Sequence, residues 1–414
     1  MTYGCIGERL GHSFSREIHG ELTEEPYELK EIAPDALDAF MNTRNFLGIN
    51  VTIPYKTAVI PYLESISAEA EAIGAVNTIL NKNGSLIGHN TDFYGLSALI
   101  QRIGVPLKGK KVAILGSGGT ARTARAVAKS MDASVILTVS RTEKPGCITY
   151  EELFASHRDV TYIMNTTPAG MYPHEEGMPL DPAQFSKLCG LADVIYNPLR
   201  SGLVLSAQRM GIPAEGGLYM LVAQAVRASE LFLDRSYPTN TVERVYERIL
   251  RKKEQIVLIG MPGCGKSTVG GLLSKILDRP LIDVDAEIVS QCGTSISDIF
   301  EKIGEKGFRD LETEVLTRVL RESPGAIIAT GGGAILREEN VIRMKHNGHV
   351  FFLDRPLADL LPTEDRPLAN TKEAITARYR ERYSKYLAAA DTRIPIEEEA
   401  AEVAKRIERE YRTT

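Results

Sequence analysis

Two glycine-rich loops, a pair of aspartates and a lysine–aspartate pair are the residues of this chain best suited to chemistry. Residues 260–267, GMPGCGKS, fit G-x-x-x-x-G-K-[ST] with Gly260, Gly265, Lys266 and Ser267. The stretch follows an apolar run, QIVLI, and precedes a helical one, TVGGLLSKIL. That is the context in which backbone N–H groups at a helix start face phosphate oxygens. Gly263, Cys264 and Thr268 complete the cradle, Lys266 would neutralise β/γ charge and the Ser267 hydroxyl would ligate Mg²⁺. Downstream, LIDVDAEI sets Asp283 and Asp285 two apart on what reads as a strand end, which predicts both carboxylates on one side. One can hold Mg²⁺ through water while the other contacts a hydroxyl that accepts phosphate, and the spacing leaves both assignments open.

The second loop lies earlier. ILGSGGTARTA at 114–124 places Gly116, Gly118 and Gly119 between a strand-like and a helical run, as a dinucleotide pyrophosphate requires. The next strand ends in LTVSRTEK, where an acid suits the ribose hydroxyls of NAD and a cation suits a 2′-phosphate. Arg141, with Ser140, Thr142 and Lys144, therefore predicts NADP(H); a solvated arginine is the blander alternative. Proton chemistry would come from GINVTIPYK and GHNTDFYG. Lys56 and Asp92, facing each other from two strand ends, could shuttle the proton that accompanies hydride transfer to a ketone.

These residues need scaffolds. In residues 1 to about 100, short runs such as YGCIG, YELKEI, GINVTI and NTILN each precede a polar or helical stretch. Residues 108–220 repeat a strand-then-helix rhythm through KKVAILG, SVILTVS, VTYIMNTT and ADVIYNP, the pattern of a parallel sheet with crossover helices. A helix, a proline break and a charged helix follow, and the strand–helix pattern restarts at QIVLIG. The expected architecture is α/β throughout. A substrate-binding α/β domain at 1–100, completed by 220–245, joins a Rossmann-type NADP domain at 101–219. A linker at 246–254 then leads to a P-loop NTPase-type kinase domain with a parallel sheet at 255–414.

Composition agrees with that plan. A chain of 414 residues suggests two or three domains, and 43% hydrophobic with 25% charged residues is the balance of an ordinary globular protein. A net charge of −5 argues against a nucleic-acid surface. Five cysteines without paired spacing favour reduced thiols over a disulfide frame or zinc site. No basic-then-apolar leader opens the sequence and no apolar run reaches about 18 residues. The expectation is a cytoplasmic protein with small-molecule partners, off nucleic acid and membrane, either monomer or homodimer.

After the P-loop come GEKGFRDLE with Arg309, ATGGGAIL with Gly331, Gly332 and Gly333, EDRPLAN with Arg366, and RERYSKY with Arg382. In this order the set resembles shikimate kinase over about residues 255–414. The resemblance implies that Asp285 binds, and can deprotonate, the ring hydroxyl receiving phosphate, and that Asp283 supports Mg²⁺ with Ser267. It implies that Arg309 and Arg382 grip the substrate carboxylate, that the glycine triplet admits the ring, and that Arg366 reaches the transferred phosphate from a lid. Arg366 is preferred to Arg355 because the latter directly follows the apolar run HVFFLD.

GHSFS, NVTIPYK, GAVNT and NTD, with NTTPAGM, DVIYNP and MLVAQA, make residues 1–245 resemble shikimate dehydrogenase. That resemblance implies that Ser13 and Ser15 hold the substrate carboxylate, with helix capping the competing role for Ser15. Thr52, Asn77 and Gln224 would bind ring hydroxyls, Tyr196 would line the pocket, and Lys56 and Asp92 would be the catalytic pair. The dinucleotide loop would run from Gly116 through Ser117, Gly118 and Gly119 to Thr120, and Gly217 would border the nicotinamide. Together the halves imply reduction of 3-dehydroshikimate by NADPH, then phosphorylation of shikimate by ATP and Mg²⁺, consecutive steps toward chorismate. The alternatives are an NAD-using quinate/shikimate dehydrogenase fused to a small-polyol kinase, or one half kept as a binding module.

Overall fold

The computed structural model describes residues 1–11, 13–360 and 371–413, in two compact units, Met1–Leu250 and Arg251–Thr414. Three sheets form among the described residues, and each starts from short runs of buried aliphatic residues. The first contains β1 (Tyr3–Gly7), β2 (Tyr27–Glu31), β3 (Gly48–Val51), β4 (Ser65–Ile66), β5 (Thr78–Lys82) and β6 (Ser85–His89), in spatial order 2-1-3-5-6-4. It is mixed: β1 pairs parallel with β2 and β3, whereas β5 runs antiparallel to both β3 and β6. The turns leaving β3 and β6 therefore meet near the start of β5, and that junction gathers the candidate residues described below.

The second sheet contains β7 (Lys111–Leu115), β8 (Val135–Ser140), β9 (Ile148–Thr149), β10 (Tyr162–Asn165), β11 (Gly190–Asp193) and β12 (Ala214–Glu215). It is parallel throughout, with order 12-11-10-7-8-9. Counted from β7 this is 3-2-1-4-5-6 reversed, the doubly wound dinucleotide order, with its switch point between β7 and β10. Gly116 follows β7 at that crevice.

Two long helices join the sheets of this unit. Thr91–Ile103 packs along Leu218–Leu233, close enough that a Cβ on Gly95 would lie 2.6 Å from Met220 O and 3.0 Å from Gln224 Cβ. The first helix carries Asp92 and the second Gln224, so this close packing brings two candidate site residues together. Residues 246–253, expected as linker, belong instead to the helix Thr241–Lys253. Glu, Arg, Leu and Lys are good helix formers, and Val242, Val245 and Ile249 supply a buried stripe at helical spacing.

The third sheet contains β13 (Gln255–Ile259), β14 (Leu281–Asp283), β15 (Ile327–Ala329), β16 (Gly348–Asp354) and β17 (Thr392–Pro395), in order 14-15-13-16-17. All its pairings are parallel. β13 is buried along its whole length, as a central strand covered on both faces must be. It delivers the P-loop at its carboxyl end.

Candidate active sites

In the first unit a cavity of about 390 Å³ lies at the junction of the two sheets. The turn after β3 supplies Thr52 and Lys56, the residue before β5 supplies Asn77, and the first turn of Thr91–Ile103 supplies Asp92. That helix is capped by Asn90, whose side chain accepts the Phe93 N–H at 3.2 Å. Lys56 Nζ donates to Asp92 Oδ2 at 2.6 Å, and Asn77 Nδ2 donates to Asp92 Oδ1 at 2.9 Å. Both oxygens of the carboxylate are thereby fixed, and the ammonium is held on the cavity wall. Gln224 lines the same wall, its Oε1 accepting the Thr91 hydroxyl at 3.4 Å.

Ser13 and Ser15 also line the cavity, joined by an Oγ–Oγ hydrogen bond of 3.0 Å. The capping alternative for Ser15 fails: the N-cap of Ser15–Gly20 is Phe14, with no side-chain cap. Tyr196 lines the cavity too, its phenol pushed above the ordinary range by burial. Thr120 and Gly217 complete the link to the dinucleotide side. The sequence reading missed Asn50, which also lines the cavity. Its Nδ2 donates to Thr78 Oγ1 at 3.0 Å, and its Oδ1 accepts from Tyr27 OH at 2.7 Å. The signal was available, because residues 50 and 52 are two apart in the extended run NVT. Behind it His19 stacks on Tyr27 with ring centroids 3.8 Å apart, and burial holds its pKa down at about 3.

Gly116, Ser117, Gly118, Gly119, Ser140, Arg141 and Thr142 stand outside this cavity, on the Rossmann-type sheet. Gly116 has φ +112°, and a Cβ there would lie 2.6 Å from Thr166 Oγ1, so the tight turn needs glycine. A Cβ on Gly118 or Gly119 would meet nothing within 4 Å, so the loop faces open space at the start of the helix Gly119–Ser130. Ser140 is buried at the end of β8, while Arg141 and Thr142 are exposed beyond it. Lys144 Nζ donates to Ser117 Oγ at 3.0 Å. Open backbone at a helix start with two flanking cations fits a dinucleotide that carries an extra phosphate.

In the second unit, Gly260, Gly263 and Gly265 all have positive φ, and Gly265 caps the helix Lys266–Leu277. Cys264 is buried beneath the loop, and Thr268 is exposed on the helix. Lys266 Nζ donates to Gly260 O at 2.9 Å and Met261 O at 3.1 Å. Ser267 Oγ donates to Asp283 Oδ2 at 2.5 Å. The expectation that Asp283 and Asp285 share one side of a strand is corrected. β14 ends at Asp283, which becomes the N-cap of the helix Val284–Cys292, and Asp285 sits in that helix's first turn. Asp283 Oδ1 accepts the N–H groups of Asp285 at 3.0 Å and Ala286 at 3.3 Å.

The glycine triplet is the hub of the remaining candidates. A Cβ on Gly331 would lie 2.4 Å from Glu312 Oε1 and 2.7 Å from Asp285 Oδ1, and one on Gly333 would lie 2.1 Å from Arg309 NH1. Gly332 O accepts from Arg382 NH1 at 3.1 Å and from Tyr386 OH at 2.6 Å. Arg309 and Arg382 are both buried, and Arg309 NH1 donates to Glu312 Oε2 at 2.6 Å. Glu312 was not anticipated, although its i, i+3 spacing from Arg309 was the signal. Burial raises its pKa, against the lowering effect of Arg309. Arg355, set aside in favour of Arg366, donates from Nε to Cys264 O at 3.3 Å. Arg366 lies outside the described residues. Among the described residues no group of three or more His, Cys, Asp or Glu could hold a metal ion. One hydroxyl and one carboxylate, Ser267 and Asp283, are still a donor set that suits Mg²⁺, which keeps few protein ligands and binds through phosphates.

Fold and sites define two enzyme classes in one chain, a dinucleotide-dependent ketone reductase type and a P-loop small-molecule kinase type. A family model for the shikimate dehydrogenase substrate binding domain matches residues 5–79, and one for shikimate kinase matches residues 262–412. A shikimate dehydrogenase (NADP(+)) of Clostridium perfringens is 36% identical over 265 residues, covering 60% of this chain and 97% of the relative. The structure of shikimate dehydrogenase 1 from Peptoclostridium difficile is 32% identical with a TM-score of 0.56, covering 60% of this chain and 98% of that one. A chorismate mutase/shikimate 5-dehydrogenase fusion from Clostridium acetobutylicum is 36% identical with a TM-score of 0.57, covering 60% and 96%. The chain belongs to the shikimate dehydrogenase family and carries a shikimate kinase domain behind it, which makes it a bifunctional enzyme of the shikimate pathway.

Proposed function

We propose that the first unit reduces 3-dehydroshikimate to shikimate with NADPH, and that the second phosphorylates shikimate to shikimate 3-phosphate with ATP and Mg²⁺. NADPH supplies the hydride when bound, and Mg²⁺ supplies positive charge at the phosphates. Lys56 gives a proton to the developing alkoxide oxygen, and Asp92 holds the ammonium in line. Ser13 and Ser15 take the carboxylate at the other end of the cavity, while Thr52, Asn77 and Gln224 fix the ring hydroxyls. Arg141 and Lys144 favour a 2′-phosphate.

In the second unit the loop N–H groups and Lys266 receive the phosphates, and Ser267 with Asp283 holds the metal. Asp285 receives the proton of the attacking hydroxyl, and Arg309 and Arg382 orient the acid. Arg366 is proposed to neutralise charge on the transferred group. The observation that carries the reading is the Lys56–Asp92 contact of 2.6 Å on a wall shared with Thr120 and Gly217. An ammonium held beside Thr120 and Gly217 supports a proton-donor role for Lys56 and a hydroxy acid as the occupant of the cavity.

One assay tests the whole reading. Purified protein is given 3-dehydroshikimate, NADPH, ATP and Mg²⁺, and NADPH loss is followed together with shikimate 3-phosphate. The expected outcome is equal molar turnover of both, with NADH a poor substitute. NADPH loss without phosphorylated product refutes the kinase half, and equal rates with NADH refute the assignment to Arg141.

A further inference from the structure

The helix Lys372–Ala389 supplies Arg382, which is 3% exposed and reaches Gly332 O through NH1, while its Nε is buried without a hydrogen-bond partner. One turn earlier, at i−4 on the same face, stands Arg378. Its Nε is likewise buried without a partner, and Arg378 makes no ion pair among the described residues. Arg309 brings a third guanidinium, also with a buried, unpartnered Nε. The carboxylates near this corner are Glu312, Asp285, Glu305 and Glu381, and none of them is ion-paired to Arg378 among the described residues. Glu312 is bound to Arg309, and Glu305 stands 3.8 Å from Arg309 NH2 on a largely exposed side chain. Burial and then Arg382 lower the pKa of Arg378, Arg309 adds to them, and Glu305 and Glu381 oppose.

Three partly desolvated cations in one corner repel one another, and leaving their N–H donors unused adds to the penalty. Such a cluster is unfavourable in the free protein and favourable once an anion enters it. The phosphate cradle has its own cation in Lys266, whereas this cluster is tied to the glycine triplet and Glu312. We propose that Arg378 is a third arm of the acceptor clamp, closing with Arg309 and Arg382 on the carboxylate of a cyclic hydroxy acid. The proposal rests on the reading that Arg309 and Arg382 face that carboxylate.

Arg378→Met keeps chain length and helix propensity while removing the charge. In kinase assays of the full chain it is expected to raise the KM for shikimate about ten-fold, the size of one charge-assisted hydrogen-bond contact. The KM for ATP and the dehydrogenase rate stay unchanged. Methyl shikimate, which lacks the charge, loses much less, so the preference for acid over ester falls with the mutation. The melting temperature of the kinase unit rises, because a repelled cation has gone, and Arg378→Lys lies between in KM. An unchanged KM for shikimate, equal losses for acid and ester, or a loss confined to ATP overturns the proposal. Arg382→Met separates the two levels. If it raises the KM for shikimate while Arg378→Met does not, only this inference fails. If Arg382→Met also leaves that KM unchanged, the reading beneath it fails.

Discussion

Asp92 receives Lys56 on one oxygen and the Asn77 amide on the other, so neither carboxylate oxygen is left to wander. If Lys56 is the proton donor, Lys56→Ala should lower the reduction rate by about 10²–10⁴-fold while phosphorylation of added shikimate stays normal, both read by steady-state kinetics. A second prediction sits on Gly333. A methyl there would overlap the Arg309 guanidinium, which Glu312 holds in place. Gly333→Ala should therefore displace Arg309 and raise the KM for shikimate about ten-fold or more, at a stability cost of about 1–3 kcal/mol. An unchanged KM would remove Arg309 from acceptor binding. Motif residues such as Lys56, Asp92 and Ser267 were legible because their chemistry and their spacing agree. Asn50 and Glu312 went unread although their spacing from Thr52 and Arg309 pointed to them, because two along a strand and three along a helix are spacings that many residues without a chemical role also meet.

Elements were legible where period and flanks agreed, as in β7 with its loop and β13 with the P-loop. The errors arose where one residue type serves two roles. Asp283 was read by strand alternation, but aspartate is also a strong N-cap, and the following DAEIVS is helix-forming. Another aspartate shows how an element end stores pH dependence. Asp193 closes β11, fully buried, and accepts from Ser201 Oγ, the Ile195 N–H and the Asn165 amide. Burial outweighs these donors and raises its pKa to about 6. An unfolded aspartate titrates near 3.9. The folded state thus gains most below about pH 4, and that gain is lost as the pH rises through about 6, roughly 3 kcal/mol in all. Asp193→Asn does not titrate. The stability of wild type minus variant should fall by about that amount between pH 4 and pH 7 in urea unfolding, and a flat difference would contradict the assignment.

At the scale of the whole molecule, two compact units carry two separate sets of candidate groups, Lys56 with Asp92 in one and Lys266 with Asp285 in the other. Lys266→Ala should abolish phosphorylation and leave reduction intact, the mirror image of Lys56→Ala. Mixing the two variant proteins should restore conversion of 3-dehydroshikimate to shikimate 3-phosphate, because each supplies the site the other lacks. If the mixture stays inactive while each variant keeps its remaining activity, the sites do not exchange a free intermediate. Among the described residues no helix is long and apolar enough to cross a membrane. The division into two α/β halves was legible because the strand–helix rhythm restarts at residue 255. The charged helix was legible too, but not its end: residues 246–253, assigned to a linker, continue it to Lys253, because charged residues suit both a solvated tether and a helix face.

Asp283 has one further consequence. One of its oxygens grips the serine beside the P-loop lysine, and the other anchors the turn that displays Asp285. On the proposed roles, a single short side chain would thus act as a ruler between the donor and acceptor halves of the reaction. Lengthening that ruler by one methylene, as glutamate would, should spoil alignment even though every charge stays in the pocket.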